Sequence, residues 1–438
     1  MRSLDFRQYV DFAKGRVDRR IFSDPAIYDI EMERIFARAW NFVVHESQIP
    51  NAGDYFMSWI GADQVISVRN KKGGVSVLLN SCRHRGAAVC RAERGNTKTF
   101  VCPYHGWSYG LEGELVGVPG FRDFYRNDLD RAGLALGRAA QVATHKGFVF
   151  ATMDPEAISL EEYLGDVGRA GLSMVADRGQ VQVVDGVQKN VVGCNWKIAV
   201  DNLYDWYHPP ISHKSAVMVS PLFADPNAVF APMQQMVMLG DYGHGIGGPM
   251  WTEEEFQAAG QGESMADRTM AARLTERVQA AMGPAGRRSK GHPSIFPNLW
   301  ITLNGLQMCL RVPRGPYKTE FWWFTFVEKD APDFVRKLMV QVASHLFGPA
   351  GILEQDDGEN WELASRGTRG PAIRRYPLHY GMGAGHDQVI ETDGQARIET
   401  RVNEHGQRWT YQAWCDWMCA KNWPELKANH TPAPRGRI

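Results

Sequence analysis

Between Asp54 and Met153 the apolar residues come in short runs broken by glycine and asparagine. The runs YFMSWIG (55–61), QVISVRN (64–70), VSVLLNSC (75–82), TKTFVCPYH (97–105) and GFVFATM (147–153) predict short strands, with turns such as Lys72-Gly73-Gly74 between them. That pattern predicts a small antiparallel β domain. Ahead of it, Ile30, Met32, Ile35, Phe36 and Trp40 recur at near-helical spacing and predict a helix over 28–41. Beyond Asp154-Pro155 the pattern turns helical over 159–176, then gives long strands over 294–313 and 320–329 and further helices over 333–347 and 349–366. Residues 425–438, rich in Pro, Lys and Arg, predict a frayed tail. Helices and antiparallel strands are segregated, which is an α+β arrangement and not the alternation of a doubly wound sheet.

The 438 residues exceed a single hydrophobic core, so two units are expected. A composition of 44% hydrophobic, 22% charged and 11% aromatic residues is that of a folded chain. Forty-nine basic residues balance forty-nine acidic ones, leaving no electrostatic footprint for nucleic acid or an anionic membrane, and neither is expected as a partner. The start MRSLDFRQYVDFAKGRVDRR contains no apolar core of a signal peptide, and no later run is long enough to span a bilayer, so a cytoplasmic location is expected. The seven cysteines are odd in number and scattered, unlike a disulfide framework. Those that share a motif are better read as metal ligands.

Two motifs carry chemistry. Cys82-Arg83-His84 and Cys102-Pro103-Tyr104-His105 place one thiol and one imidazole in each of two loops at strand ends. Two loops can converge on one point, and this layout suits a cluster with two Cys on one iron and two His on the other, whose neutral imidazoles raise its reduction potential. A structural Cys₂His₂ zinc site is the alternative, but zinc fingers pair Cys with Cys and His with His. The second motif is Asn195-Trp196-Lys197 followed by Asp201-Asn202-Leu203-Tyr204-Asp205-Trp206-Tyr207-His208 and His213. Asp205 and His208, three apart, are expected to share a helical face, and Pro209-Pro210 to break that helix and bring His213 back from the next turn. Two nearby imidazoles with a distant carboxylate make the facial triad that leaves Fe(II) positions open for oxygen. Alone, this spacing is a weak signal. For the carboxylate, residues 351–362 offer five acids, among which spacing does not choose.

Together the segments Cys82-Arg83-His84-Arg85-Gly86 and Cys102-Pro103-Tyr104-His105-Gly106-Trp107 resemble the Rieske signature of aromatic-ring-hydroxylating oxygenases. The order of motifs is similar to the α subunits of the naphthalene, biphenyl and benzoate dioxygenase group, which often have Glu where Asp201 stands. The resemblance implies an antiparallel β Rieske domain over 40–156. It implies a helix-grip-like catalytic domain, a large antiparallel sheet covered by helices, from residues 1–39 and 157–438. It further implies a 2Fe-2S Rieske cluster on Cys82, His84, Cys102 and His105, with Gly86 and Gly106 turning backbone N–H groups toward cluster sulfurs. A mononuclear Fe(2+) would sit on His208, His213 and Asp357, the second Asp of Glu354-Gln355-Asp356-Asp357. Asp205 becomes a bridge between an iron histidine and a cluster histidine of a neighbouring subunit, with Asn202 beside it in the catalytic set.

The implied reaction joins an aromatic substrate, O2 and NAD(P)H to give a cis-dihydrodiol. No G-x-G-x-x-G follows a predicted strand, and Gly243-His244-Gly245-Ile246-Gly247-Gly248 lacks that context, so a separate ferredoxin and NAD(P)H reductase are expected. Family members form α3 or α3β3 assemblies with a small β subunit. The stretches 233–250 and 296–309, with Leu203 and Leu353, are candidates for an apolar substrate pocket, although such residues are more often plain core. A monohydroxylating or O-demethylating sister enzyme, a Rieske electron carrier and a zinc-stabilised binding protein are the competing readings.

Overall fold

The computed structural model describes residues 5–219, 234–262, 271–302, 305–392 and 394–438. Two units emerge, one from residues 36–160 and one from 1–35 with 161–438. In the first, the short apolar runs form antiparallel sheets, several of whose strands are buried along most of their length. Four strands pair in the order Val75–Leu79, Asp63–Arg69, Asp54–Ile60, Arg94–Asn96, and three in the order Leu115–Gly117, Ser108–Tyr109, Phe100–Val101. Gln141–His145, Phe148–Thr152 and Asn41–His45 make a third antiparallel group. Ile66, Val68, Leu78, Phe100, Trp107 and Tyr109 fill the space between sheets, with Cys82 and Cys102 in the same cluster.

The second unit is built on a ten-stranded antiparallel sheet among the described residues. Its order is Val181–Val183, Thr319–Glu328, Gln307–Pro313, Leu299–Ile301, His292–Ile295, Gly245–Pro249, Gln235–Leu239, Gln395–Thr400, Val389–Thr392, with Gln188–Val192 also on Thr319–Glu328. The helix Asp333–Leu346 lays Met339, Val342 and Ala343 on Leu306 and Val327. No helix among the described residues is long and apolar enough to cross a membrane.

Three expectations change. The helix foreseen over 28–41 runs as Pro25–Glu31, capped by Asp24, and continues as a π-helical turn over Met32–Phe36. The run 294–313 divides into three strands, because Pro297 cannot donate to a ladder and the Asn298 amide is drawn to the Arg311 carbonyl at 2.8 Å. The tail is ordered: Asn422 caps a helix over Trp423–Asn429, Trp423 and Leu426 are buried, and the Ile438 N–H donates to the Asp387 carbonyl at 3.0 Å. Gly245–Pro249 is a core strand, and its glycines make room for an aromatic ring. A Cβ on Gly245 would lie 2.6 Å from the Tyr204 hydroxyl, one on Gly247 2.7 Å from the ring, and one on Gly406 2.4 Å from its far side. Tyr204 therefore occupies a glycine-walled slot, fixing the short turn Asn202–Tyr204 against the sheet.

Just before that turn, the helix Trp196–Asp201 is anchored by a buried charge. Glu31 accepts from Lys197 Nζ at 2.6 Å, Trp196 Nε1 at 2.8 Å and Trp414 Nε1 at 2.7 Å, with Glu31 and Lys197 both fully buried. Removing one member of such a pair strands the other in the core at a cost of about 3–5 kcal/mol. Lys197→Met should lose stability of that order in chemical denaturation, and Lys197→Met with Glu31→Gln should recover much of it. Equal stability of Lys197→Met and the parent protein would show that the pair does not anchor this helix.

Candidate metal centres

In the first unit the two cysteine loops close in the same way. Cys82 N–H donates to the Ala87 carbonyl at 2.9 Å and Gly86 N–H to the Cys82 carbonyl at 2.8 Å. Cys102 N–H likewise donates to the Trp107 carbonyl at 2.8 Å, and Gly106 N–H to the Cys102 carbonyl at 2.9 Å. Gly86 at φ 75° and Gly106 at φ 74° lie in the left-handed region that the turns require. Their own N–H groups donate to the Cys82 and Cys102 carbonyls, closing the tight loops that these glycines were expected to form. Both thiols are buried, and the His84 and His105 rings approach to 4.5 Å between centroids. The His84 ring is stacked on Trp107 at 4.9 Å and 9°.

This donor set suits a cluster on a physical test. His84 Nδ1 is buried with no hydrogen-bond partner, and burial together with the neighbouring His105 keeps the ring's pKa below its usual value. A neutral ring with an unspent nitrogen beside buried thiols is what a metal requires. Tyr109, which the motif reading missed, lies behind Cys82. Its hydroxyl accepts the Arg83 N–H at 3.0 Å, leaving its hydrogen for Cys82 Sγ at 3.2 Å.

In the second unit the structure brings His208, His213 and Asp357 together. His208 Nε2 is 3.1 Å from His213 Nε2 and 3.2 Å from Asp357 Oδ1, and His213 Nε2 is 3.4 Å from the same oxygen. Ligands held at about 2.1 Å from one ion, with angles of about 90–109°, stand about 3.0–3.4 Å apart, so the trio fits a single metal. Asp357 belongs to the helix Glu354–Arg366, whose buried face is Glu354, Asp357, Trp361 and Ser365, the i, i+3, i+7 stripe of an amphipathic helix. Glu359 is exposed, while Asp356 turns to His213 Nδ1 at 3.3 Å.

The route to His208 differs from the helical one expected. The helix ends at Asp201, and Asp205 is extended at φ −83° and ψ 97°. Its Oδ1 accepts the N–H groups of Tyr207 at 2.8 Å and His208 at 3.2 Å, a local turn that brings Oδ2 to 3.3 Å from His208 Nδ1. Pro209 and Pro210 do not break a helix. They open the helical turn Pro209–Ser212, where proline's missing N–H costs nothing, and His213 closes it. Asn202 lies beside the trio, its Nδ2 3.5 Å from Asp357 Oδ1.

The charges are coupled. Burial disfavours a charged His208, but the carboxylates of Asp205 and Asp357 outweigh it and carry its pKa up to about 10. Burial pushes the other way on Asp357, yet the two imidazoles hold it down to about 2. Nearby His292, among aromatic rings, is driven by burial down to about 3, so it is neutral. Asp201 accepts from Tyr380 at 2.8 Å and from Tyr411, and burial lifts it to about 7.

Of the pocket candidates, Leu203 is buried and Leu353 half-buried. Met236, Met238, Ile246 and Met250 pack with Ala170 and Ala285 as core. Met233, Leu303 and Asn304 lie outside the described residues. Trp300 and Cys309 stand on the sheet face toward the Asp357 helix, with three residues the sequence reading missed: Trp323, Arg311 and His292.

The comparisons agree with this geometry. The family model for the catalytic domain of ring-hydroxylating α subunits matches residues 172–418, and the Rieske [2Fe-2S] domain model matches residues 39–130. Biphenyl dioxygenase subunit alpha of Metapseudomonas furukawaii is 36% identical over 439 residues, covering 96% of this chain and 94% of that protein. Naphthalene 1,2-dioxygenase from Rhodococcus sp. bound to indole superposes with a TM-score of 0.79 at 35% identity, over 96% of this chain and 100% of that one. A second naphthalene 1,2-dioxygenase, with indole in its active site, gives a TM-score of 0.85 at 29% identity over 97% of each chain.

Two outcomes test the site. His213→Ala and Asp357→Ala should each lose mononuclear iron and keep the cluster spectrum; loss of cluster colour in either would place these residues in the wrong centre. A metal must also displace the proton that the carboxylates hold on His208, whose affinity for it persists up to about pH 10. Fe(II) should therefore bind more tightly as pH rises from 6 toward 9, by up to about tenfold per unit, with proton release seen calorimetrically in buffers of different ionisation enthalpy. Affinity independent of pH would remove His208 from the ligand set.

Proposed function

The chain belongs to the ring-hydroxylating α-subunit family, with a Rieske [2Fe-2S] domain ahead of its catalytic domain, and on that premise we propose that it is the terminal oxygenase of an aromatic-ring dioxygenase system. In this family the first domain carries the cluster and the second a mononuclear iron. The observation that carries the reading is the convergence of His208, His213 and Asp357 within one ion's reach, in a chain that also holds the paired Cys/His loops. Bound iron supplies the redox chemistry that activates O2. The overall change is arene, O2, NAD(P)H and a proton giving a cis-dihydrodiol and NAD(P)+. A separate NAD(P)H reductase and ferredoxin deliver the electrons, and the assembly is α3 or α3β3.

The chain's residues have distinct tasks. Cys82, His84, Cys102 and His105 hold the cluster, and His208, His213 and Asp357 hold the iron. Asp205 and Asp356 each face the second ring nitrogen of an iron histidine, which fixes tautomer and ring orientation. Asn202 steadies the Asp357 carboxylate. Trp206, His292, Trp300 and Trp323 form an aromatic wall that excludes water and offers faces for a ring to lie against.

Asp205 is the bridge between subunits. Oδ1 serves the local backbone and Oδ2 the His208 ring, and the group is about one-third exposed, which leaves it room to accept a further bond from His105 of a neighbouring subunit. Asp205→Asn keeps the shape and removes the charge, so both metals should load and the cluster should reduce normally while turnover falls by orders of magnitude. Rapid mixing of the reduced enzyme with substrate and O2 tests this, and near-normal cluster reoxidation would rule the bridge out. The broader reading is tested by O2 uptake and product analysis with benzene, biphenyl and naphthalene in the reconstituted system. Colourless protein, or oxygen uptake that no aromatic stimulates, would overturn it.

A further inference from the structure

The sheet face that looks toward the Asp357 helix carries an anomaly. Cross-strand pairing sets Trp300 opposite Cys309, Cys309 opposite Trp323 and Arg311 opposite Phe321, so these five side chains share one face. Phe321 stacks on Trp361 of the helix Glu354–Arg366 at 5.3 Å and 10°, which fixes that face against the helix. Among these rings Arg311 is 1% exposed, its guanidinium 4.7 Å from the Trp300 centroid, 5.7 Å from Phe321 and 5.9 Å from Trp361. Such faces stabilise a cation from above and below but leave its N–H edge unsatisfied.

That edge finds nothing in the described protein. Arg311 Nε and Nη1 are buried without a hydrogen-bond partner, and so are the indole N–H groups of Trp300 and Trp361, while the Trp323 indole N–H faces the Glu354 carboxyl. Arg273 and Arg408 also leave nitrogens unmet, but each buried arginine other than Arg311 keeps at least one protein partner: Arg178 pairs with Glu328, Arg273 donates to the Ser289 carbonyl and Arg408 to the Phe12 carbonyl. An unmet buried donor is costly, more so when charged, and a cluster of them beside the trio calls for a guest with matching acceptors. The charged and titratable groups within electrostatic reach of Arg311 are Glu354, Asp357, Cys309, Cys194 and His292. Asp357 is already engaged by two imidazoles, and His292 is neutral. Glu354, which forms no ion pair with Arg311, is lifted by burial to about 8 and can donate its O–H to a guest.

Building on the oxygenase reading above, we infer that Arg311 anchors an anionic substituent on the substrate, so that the enzyme takes aromatic carboxylates in preference to bare hydrocarbons. The guanidinium edge and a carboxylate make a bidentate, charge-assisted pair. The ring of the same molecule then lies along Trp300, Trp323 and His292, toward the trio.

Equilibrium titration of the holoenzyme, followed by tryptophan fluorescence without turnover, tests this with benzoate against benzamide and with 2-naphthoate against naphthalene. The parent enzyme should bind each acid about tenfold or more tightly than its neutral counterpart. Arg311→Gln should weaken the acids about tenfold or more and change benzamide by less than threefold. Arg311→Lys should recover part of the loss, and iron content and cluster spectrum serve as the fold control. Should Arg311→Gln fail to fold, the comparison of acid with amide in the parent enzyme still decides. Equal affinity for acid and amide overturns the inference, and so does equal weakening of both in Arg311→Gln. Naphthalene oxidation with no binding of either acid overturns it too, while leaving the oxygenase reading intact; failure of every aromatic to stimulate O2 uptake would instead sink that reading.

Discussion

The carboxylate of Glu31 lies in the core, and the geometry of the His208, His213 and Asp357 trio depends on how it is satisfied. An isolated buried carboxylate would be intolerable. One ammonium and two indole N–H groups meet it, and two of those three donors come from Trp196 and Lys197, the first residues of the segment that ends at His213. That segment contains little regular helix, so it cannot hold its own shape. It is pinned instead: by Glu31 at its start, by Tyr204 in the glycine slot at its middle, and by Asn360 Nδ2 donating to the Ser212 hydroxyl at 3.2 Å near its end. The Ser365 hydroxyl accepts the Asn195 N–H at 2.9 Å, tying the same segment to the helix that carries Asp357. Both halves of the metal site are thus registered against each other at two points outside it.

Electrostatics then divides the neighbouring histidines by role. His208 and His292 are both largely buried, yet carboxylates pull the first up to about 10 while burial among rings pushes the second down to about 3. Burial alone would treat them alike; the difference is whom each ring faces. A ring between two carboxylates holds a cation, whether proton or metal. A ring between Trp206 and Trp300 stays neutral, with one nitrogen free for a guest.

Much of this was legible in the sequence, and the reason is locality. The paired Cys/His loops could be read because each thiol lies within a few residues of its imidazole, and the antiparallel sheets of the first unit followed from short apolar runs and turn residues. His208 and His213 were legible for the same reason. Asp357 was not, since five acids lie near it and only the fold decides which turns inward; the family resemblance selected it where spacing could not. The helical reading of Asp205 to His208 failed because an Asp side chain can hydrogen-bond backbone N–H groups two and three residues on, which competes with helix at that position. Pro209-Pro210 was misread as a stop because the same residue type ends one helix and opens the next, and sequence alone does not say on which side the helix lies.

The residues that escaped were single polar groups inside apolar strands, His292 and Arg311, whereas Glu354 stood among the five acids without a role of its own. A signal was present for Arg311, because Gln307–Pro313 is buried along its whole length and a charge there must be matched by something. What that match is depends on the strands paired beside it, and those strands lie 10 or more residues away in sequence. Local chemistry therefore announces the metals, whose ligands must be close together, while the walls that choose a substrate are assembled from distant strands and become readable only in register.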